Sequence, residues 1–111
     1  AAEWNIDPHK IGIMGTSAGA NVALNLATHS DGGDTNATDA VERQSSRPDF
    51  VVLLSFWPYL YSAKNFPITA GMPPPFMVHA QDDTTANPEI AEEVAAALKA
   101  TKRSAARGEL L

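Results

Sequence analysis

The chain has 111 residues, 44% hydrophobic and 19% charged, the balance of an ordinary globular domain with one core. A formal net charge of −5 excludes the basic face that a nucleic-acid binder needs to neutralise phosphates. The absence of cysteine excludes disulfides, zinc thiolate sites and thiol nucleophiles. No apolar run is longer than the five residues of Phe50 to Leu54, far too short to span a bilayer. No leader of the Lys/Arg-plus-apolar type is visible at the start.

Ala1-Ala2-Glu3-Trp4 reads as the tail of a helix cut at its start, which Asn5-Ile6-Asp7-Pro8 then breaks. Lys10 to Met14 is a short β-branched run ending at Gly15, and reads as a strand. Ala18 to Thr28 is helical. Ala18, Val22 and Leu26 share one face at i, i+4, i+8, while Ala20, Leu24 and Ala27 widen the apolar surface. A helix this apolar and small-sided suits a place inside a core.

His29 to Pro48 is a long polar loop, functional or mobile by its length. Its Asn36-Ala37-Thr38 sequon is a common chance match and carries no assignment. Asp49 to Ser55 is a continuous apolar strand without alternation, as expected when both faces of a parallel sheet are covered. An aromatic cluster, Phe56 to Tyr61, follows in loop. After Pro73-Pro74-Pro75, residues Phe76 to His79 read as a third strand. The last helix has Asn87 as N-cap and Pro88 at its first position, with Glu89, Glu92 and Glu93 early and Lys99, Lys102 and Arg103 late. Ile90, Val94 and Leu98 form its buried stripe. Thr101 to Leu111 shows no strand pattern and reads as a divergent or disordered tail to a domain over residues 1–100. The alternation of strands and helices predicts a layered α/β fold.

Gly15-Thr16-Ser17-Ala18-Gly19 is a G-x-S-x-G pentapeptide. The pattern alone is weak; its place between a strand and a buried helix makes it specific. A sharp corner there holds the serine in a strained conformation and lifts its hydroxyl above the sheet. The glycines let neighbouring backbone pass close. The Ala18 amide, at the positive end of the following helix, is an oxyanion donor. Phosphate cradling is disfavoured, since there is no G-x-G-x-x-G spacing and no lysine after the glycines. Asp82 and Asp83 follow the third strand, so they emerge at the same carboxyl edge as Ser17, where sites of open α/β sheets gather. A carboxylate there can orient a histidine base.

The stretches AAEWNIDPHKIGIMGTSAGANVALNLATHS, SSRPDFVVLLSFWP and PPPFMVHAQDD resemble the esterase/lipase branch of the α/β-hydrolase superfamily, especially acetyl-xylan-esterase-like and feruloyl-esterase-like proteins. The resemblance covers most of residues 1–100 as an incomplete segment. It implies a partial α/β-hydrolase fold of parallel strands and flanking helices in three α/β/α layers. It also implies Ser17 as nucleophile and picks Asp83 over Asp82 as the acid. The implied substrate is a short-acyl or carbohydrate ester, with no cofactor and no metal.

A serine hydroxyl needs a base. His9 precedes the first strand at the wrong edge and His29 ends the helix leading away from Ser17. His79 is at the correct edge, but a strand-end histidine there reads as packed and hydrogen-bonded. The family's base follows the acid, after one more strand, and no histidine stands at that place here. Loss of the serine or the histidine from a comparable triad costs on the order of 10⁶ in turnover. Three functions follow: an ester hydrolase with its base outside this chain, a peptidase or dienelactone-type hydrolase of the same fold, or an inert fragment or pseudoenzyme. Trp57, Tyr59 and Tyr61 line a substrate pocket or cap the core. The missing strands and helices predict a marginal, mobile or self-associating chain.

Overall fold

A computed structural model describes residues 2–57, 67–100 and 106–110. A short 3-10 turn, Ala2–Trp4, leads to strand β1 (Gly12–Thr16) and helix α1 (Ala18–His29). Strands β2 (Phe50–Leu54) and β3 (Pro75–Ala80) follow, then helix α2 (Pro88–Ala100) and strand β4 (Ala106–Leu110). The four strands form one sheet in the order β1-β2-β3-β4, every pair parallel.

Ile13, Val51 and Pro75 lie in one register row, Gly15, Leu53 and Met77 in another. By the period-2 alternation of strands these rows share one face. Val51 and Leu53 are fully buried there, in a single core with Ala20, Ala23, Leu24 and Ala27 of α1 and Ala91, Val94, Ala95 and Leu98 of α2. Both helices therefore cover the same face. This is the arrangement expected of right-handed crossovers when each new strand is added on the same side. The opposite face carries Met14, Val52 and Phe76 in one register row, with Met14 66% and Phe76 40% exposed. The described residues thus supply two layers of an α/β/α arrangement. Among the described residues, the apolar strand around Val52, expected to be covered on both sides, is covered on one.

Helix α1 buries Ala20, Ala23, Leu24 and Ala27, an i, i+3, i+4, i+7 stripe. Val22, expected to be buried with Ala18 and Leu26, is 65% exposed, and Ala18 is exposed too. The helix is apolar nearly all round, so its rotation is set by the corner at Ser17 and not by its own periodicity. Helix α2 begins as expected: the Glu89 amide donates to Asn87 Oδ1 at 2.9 Å. Its stripe is Ala91, Val94, Ala95 and Leu98, with Ile90 packed at the rim.

Strand β4 is a correction to the reading of Thr101 to Leu111 as patternless tail. Ala106 to Leu110 pair in register with Phe76 to Ala80. Local propensity is weak in a segment containing Gly108 and Glu109. The free edge of β3 offers a row of backbone partners, and such pairing overrides propensity.

The polar loop between α1 and β2 is held by its own side chains. Asp31, Asp34 and Asp39 each accept a hydrogen bond at Oδ1 from an amide two residues on, at 2.9, 2.9 and 2.8 Å. At its far end the Ile11 amide donates to Asp49 Oδ2 (2.9 Å) and the Asp49 amide to the Ile11 carbonyl (2.7 Å). This pair joins the start of β1 to the start of β2.

Candidate active site

The corner between β1 and α1 has the strained geometry its sequence predicts. Ser17 sits at φ 57°, ψ −120°, a region that side-chain-bearing residues rarely adopt. Gly15 makes the corner possible, because a Cβ there would collide with the Gly19 carbonyl. A Cβ on Gly19 would meet no described atom within 4 Å, so Gly19 is not required by the same crowding.

Ser17 is half-buried and its hydroxyl makes no capping hydrogen bond to α1. Its backbone is fixed instead. The amide donates to the Leu54 carbonyl at 2.9 Å, and the carbonyl accepts from Ala20 (3.1 Å) and Trp57 (3.3 Å). The Ala18 amide opens α1, where N–H groups have no carbonyl one turn earlier to bond. It forms part of the positive end of the helix dipole, directly after the serine.

A second strained residue lies next door. Ser55, directly after β2, has φ 48°, and its amide donates to the Val78 carbonyl at 2.8 Å. This turn brings Phe56 into the core, 1% exposed, and the Trp57 amide to Ser17. Nothing in the sequence marks Ser55, since a serine ending a strand is common and its φ depends on the neighbouring corner. Trp57 is half-buried beside the serine. Tyr59 and Tyr61, the other aromatics read as pocket-lining, lie outside the described residues.

Asp83 follows β3 at the same edge of the sheet. β2 separates β1 from β3, so the strands bearing Ser17 and Asp83 lie two spacings, about 9 to 10 Å, apart. That gap suits one intervening imidazole. Asp83 Oδ1 accepts from the amides of Thr85 (2.9 Å) and Ala86 (2.8 Å). Its side chain is 19% exposed, with Oδ2 3.7 Å from His79 Nε2. The Ala86 amide above all, then the Thr85 amide and the nearby His79, hold this carboxyl below the ordinary aspartate range against the opposing effect of burial. Asp82, the alternative, is exposed.

None of the three histidines is brought to Ser17 as a base. His9 is exposed before β1, at the opposite edge of the sheet. His29 ends α1, with Nδ1 at 3.0 Å from the Asn25 carbonyl. His79 shares the helix-covered face with Met77 and bonds the Ala86 carbonyl through Nε2 at 2.5 Å. Among the described residues no group of three His, Cys, Asp or Glu side chains is placed to hold a metal. No helix there is long and apolar enough to cross a membrane.

No family model matches the chain, and no curated protein does. Solved structures do. A crystal structure of an acetyl ester-xyloside bifunctional hydrolase from Caldicellulosiruptor lactoaceticus matches with a TM-score of 0.80 and 30% identity, over 97% of this chain and 47% of that one. A thermophilic esterase of Thermogutta terrifontis matches with a TM-score of 0.75 and 21% identity, over 98% of this chain and 46% of that one. The same esterase bound to propionate gives 0.74 and 23%, over 98% and 47%. At those identities the Thermogutta matches speak for the fold alone. The chain spans about half the length of the solved structures it matches.

Proposed function

We propose that this chain, which carries part of the α/β-hydrolase fold and resembles its esterases, supplies the nucleophile and the acid of a serine ester hydrolase. The observation that carries the reading is the strained φ of Ser17 at a strand-to-helix corner, with its hydroxyl free of any cap. In this reading Ser17 Oγ attacks the ester carbonyl and the Ala18 amide stabilises the oxyanion. A histidine other than His9, His29 and His79 takes the serine proton and returns it to the leaving alcohol. Asp83 orients that histidine through Oδ2 and stabilises its charged form. Trp57 lines the acyl or alcohol pocket. The substrate class is a short-acyl or carbohydrate ester, a choice supported by the acetyl ester-xyloside hydrolase among its structural relatives.

A second reading, that the chain alone is an inert piece of a hydrolase, is favoured by the engagement of His79 with Ala86 and by the positions of His9 and His29. One experiment addresses both. A fluorophosphonate probe that labels wild type and not Ser17→Ala supports the nucleophile. An absence of labelling, while the same probe labels a complete esterase in parallel, supports the inert reading.

A further inference from the structure

The turn between β3 and α2 is gripped from two sides through one residue. The Ala86 amide donates to Asp83 Oδ1 at 2.8 Å, and the Ala86 carbonyl accepts from His79 Nε2 at 2.5 Å. Ala86 is 3% exposed and the His79 side chain 9%, so water is a poor substitute for either bond. A bond to a carbonyl requires a proton on Nε2. Nδ1 is buried and has no hydrogen-bond partner among the described residues.

We infer that His79 is a positioning residue for Asp83: its ring fastens the Ala86 carbonyl, so the turn gives both amides to Oδ1 and leaves Oδ2 alone to face a base. The inference rests on the hydrolase reading only for what Oδ2 does next; the clip belongs to this chain whether or not it reacts. Asp83 Oδ2 lies 3.7 Å from Nε2, beyond a direct hydrogen bond, so the ring does not take up the oxygen it presents.

Nitrogen-15 NMR of the chain at neutral pH reads the tautomer of His79 directly. A proton on Nε2 is expected; a bare Nε2 overturns the inference. Two variants read the consequence. His79→Phe fills the space without a donor, whereas His79→Gln keeps an N–H near the position of Nε2. In His79→Phe, exchange of the Thr85 and Ala86 amides rises about tenfold. The carboxyl titration of Asp83, followed by carbon-13 NMR, moves up toward the ordinary range. In His79→Gln both return most of the way to wild type. A folded His79→Phe with unchanged exchange and titration overturns the assignment, and if neither variant folds the wild-type tautomer decides. None of these readouts depends on Ser17 chemistry, so a failed fluorophosphonate reaction leaves them standing.

Discussion

The Trp57 amide meets the Ser17 carbonyl at 3.3 Å, which ties the turn after β2 to the corner after β1. Ser17 and Ser55, the strained residues of these two turns, are thereby coupled across neighbouring strands. Each such conformation costs about 1 to 3 kcal/mol, and it persists only where surrounding structure overdetermines it.

Ser17→Gly should therefore stabilise the fold, by about 1 kcal/mol, while abolishing reaction with a fluorophosphonate. Urea denaturation alongside probe labelling checks both halves. A loss of stability would mean that the corner is not under strain.

The two glycines of the pentapeptide should part company. Gly15→Ala drives a Cβ into the Gly19 carbonyl and should cost about 1 to 3 kcal/mol or more. Gly19→Ala meets open space in the first turn of α1 and should be neutral or stabilising by up to about 1 kcal/mol. Equal effects at both positions, by denaturant midpoint, would refute this account of the corner.

Asp83 has a folded-state pKa below its unfolded value, because the Ala86 amide and then the Thr85 amide and His79 favour the charged form. Its contribution to stability is thus complete above the unfolded value, about 3.9, and is lost as pH falls through the lower folded value. Asp83→Asn should cost stability at pH 7, and the gap to wild type should close below about pH 4. Denaturation curves for the two proteins across that range test the sign. A gap that widens in acid would contradict it.

On α1, Leu24 is fully buried and Val22 is 65% exposed. Leu24→Ala should cost about 2 to 5 kcal/mol, and Val22→Lys should stay within about 0.5 kcal/mol of wild type. Thermal melts of the two variants distinguish the observed rotation of the helix from the one its periodicity suggests.

Met14 and Phe76 are exposed on the sheet face away from the helices, and β1 stands at the edge of the sheet among the described residues. Sedimentation velocity should detect species larger than a monomer that grow with concentration. Met14→Lys should reduce them, since charge on an edge strand opposes pairing. Identical profiles for wild type and variant would remove the edge from the explanation.

Much of this architecture was legible from residues alone, because the informative ones act locally. Gly15 and Ser17 between a strand and a helix predict the corner, and Asn87 before Pro88 predicts the start of α2 to the residue. The strands at Gly12, Phe50 and Pro75 lie within two residues of their expected starts. What stayed hidden depends on partners distant in sequence. The rotation of α1 follows from the corner, the φ of Ser55 from its bond to Val78, and β4 from the free edge of β3. The grip of His79 on Ala86 depends on a turn seven residues further on, and no motif announces it.

The pair of hydrogen bonds between Ile11 and Asp49 has a consequence for how this protein tolerates change. It clamps the two strand beginnings independently of what runs between them, so the stretch after His29 can lengthen, shorten or be replaced without sliding β1 against β2. Variation among descendants, or a loop grafted by an engineer, is thereby insulated from the end of the sheet that bears Ser17.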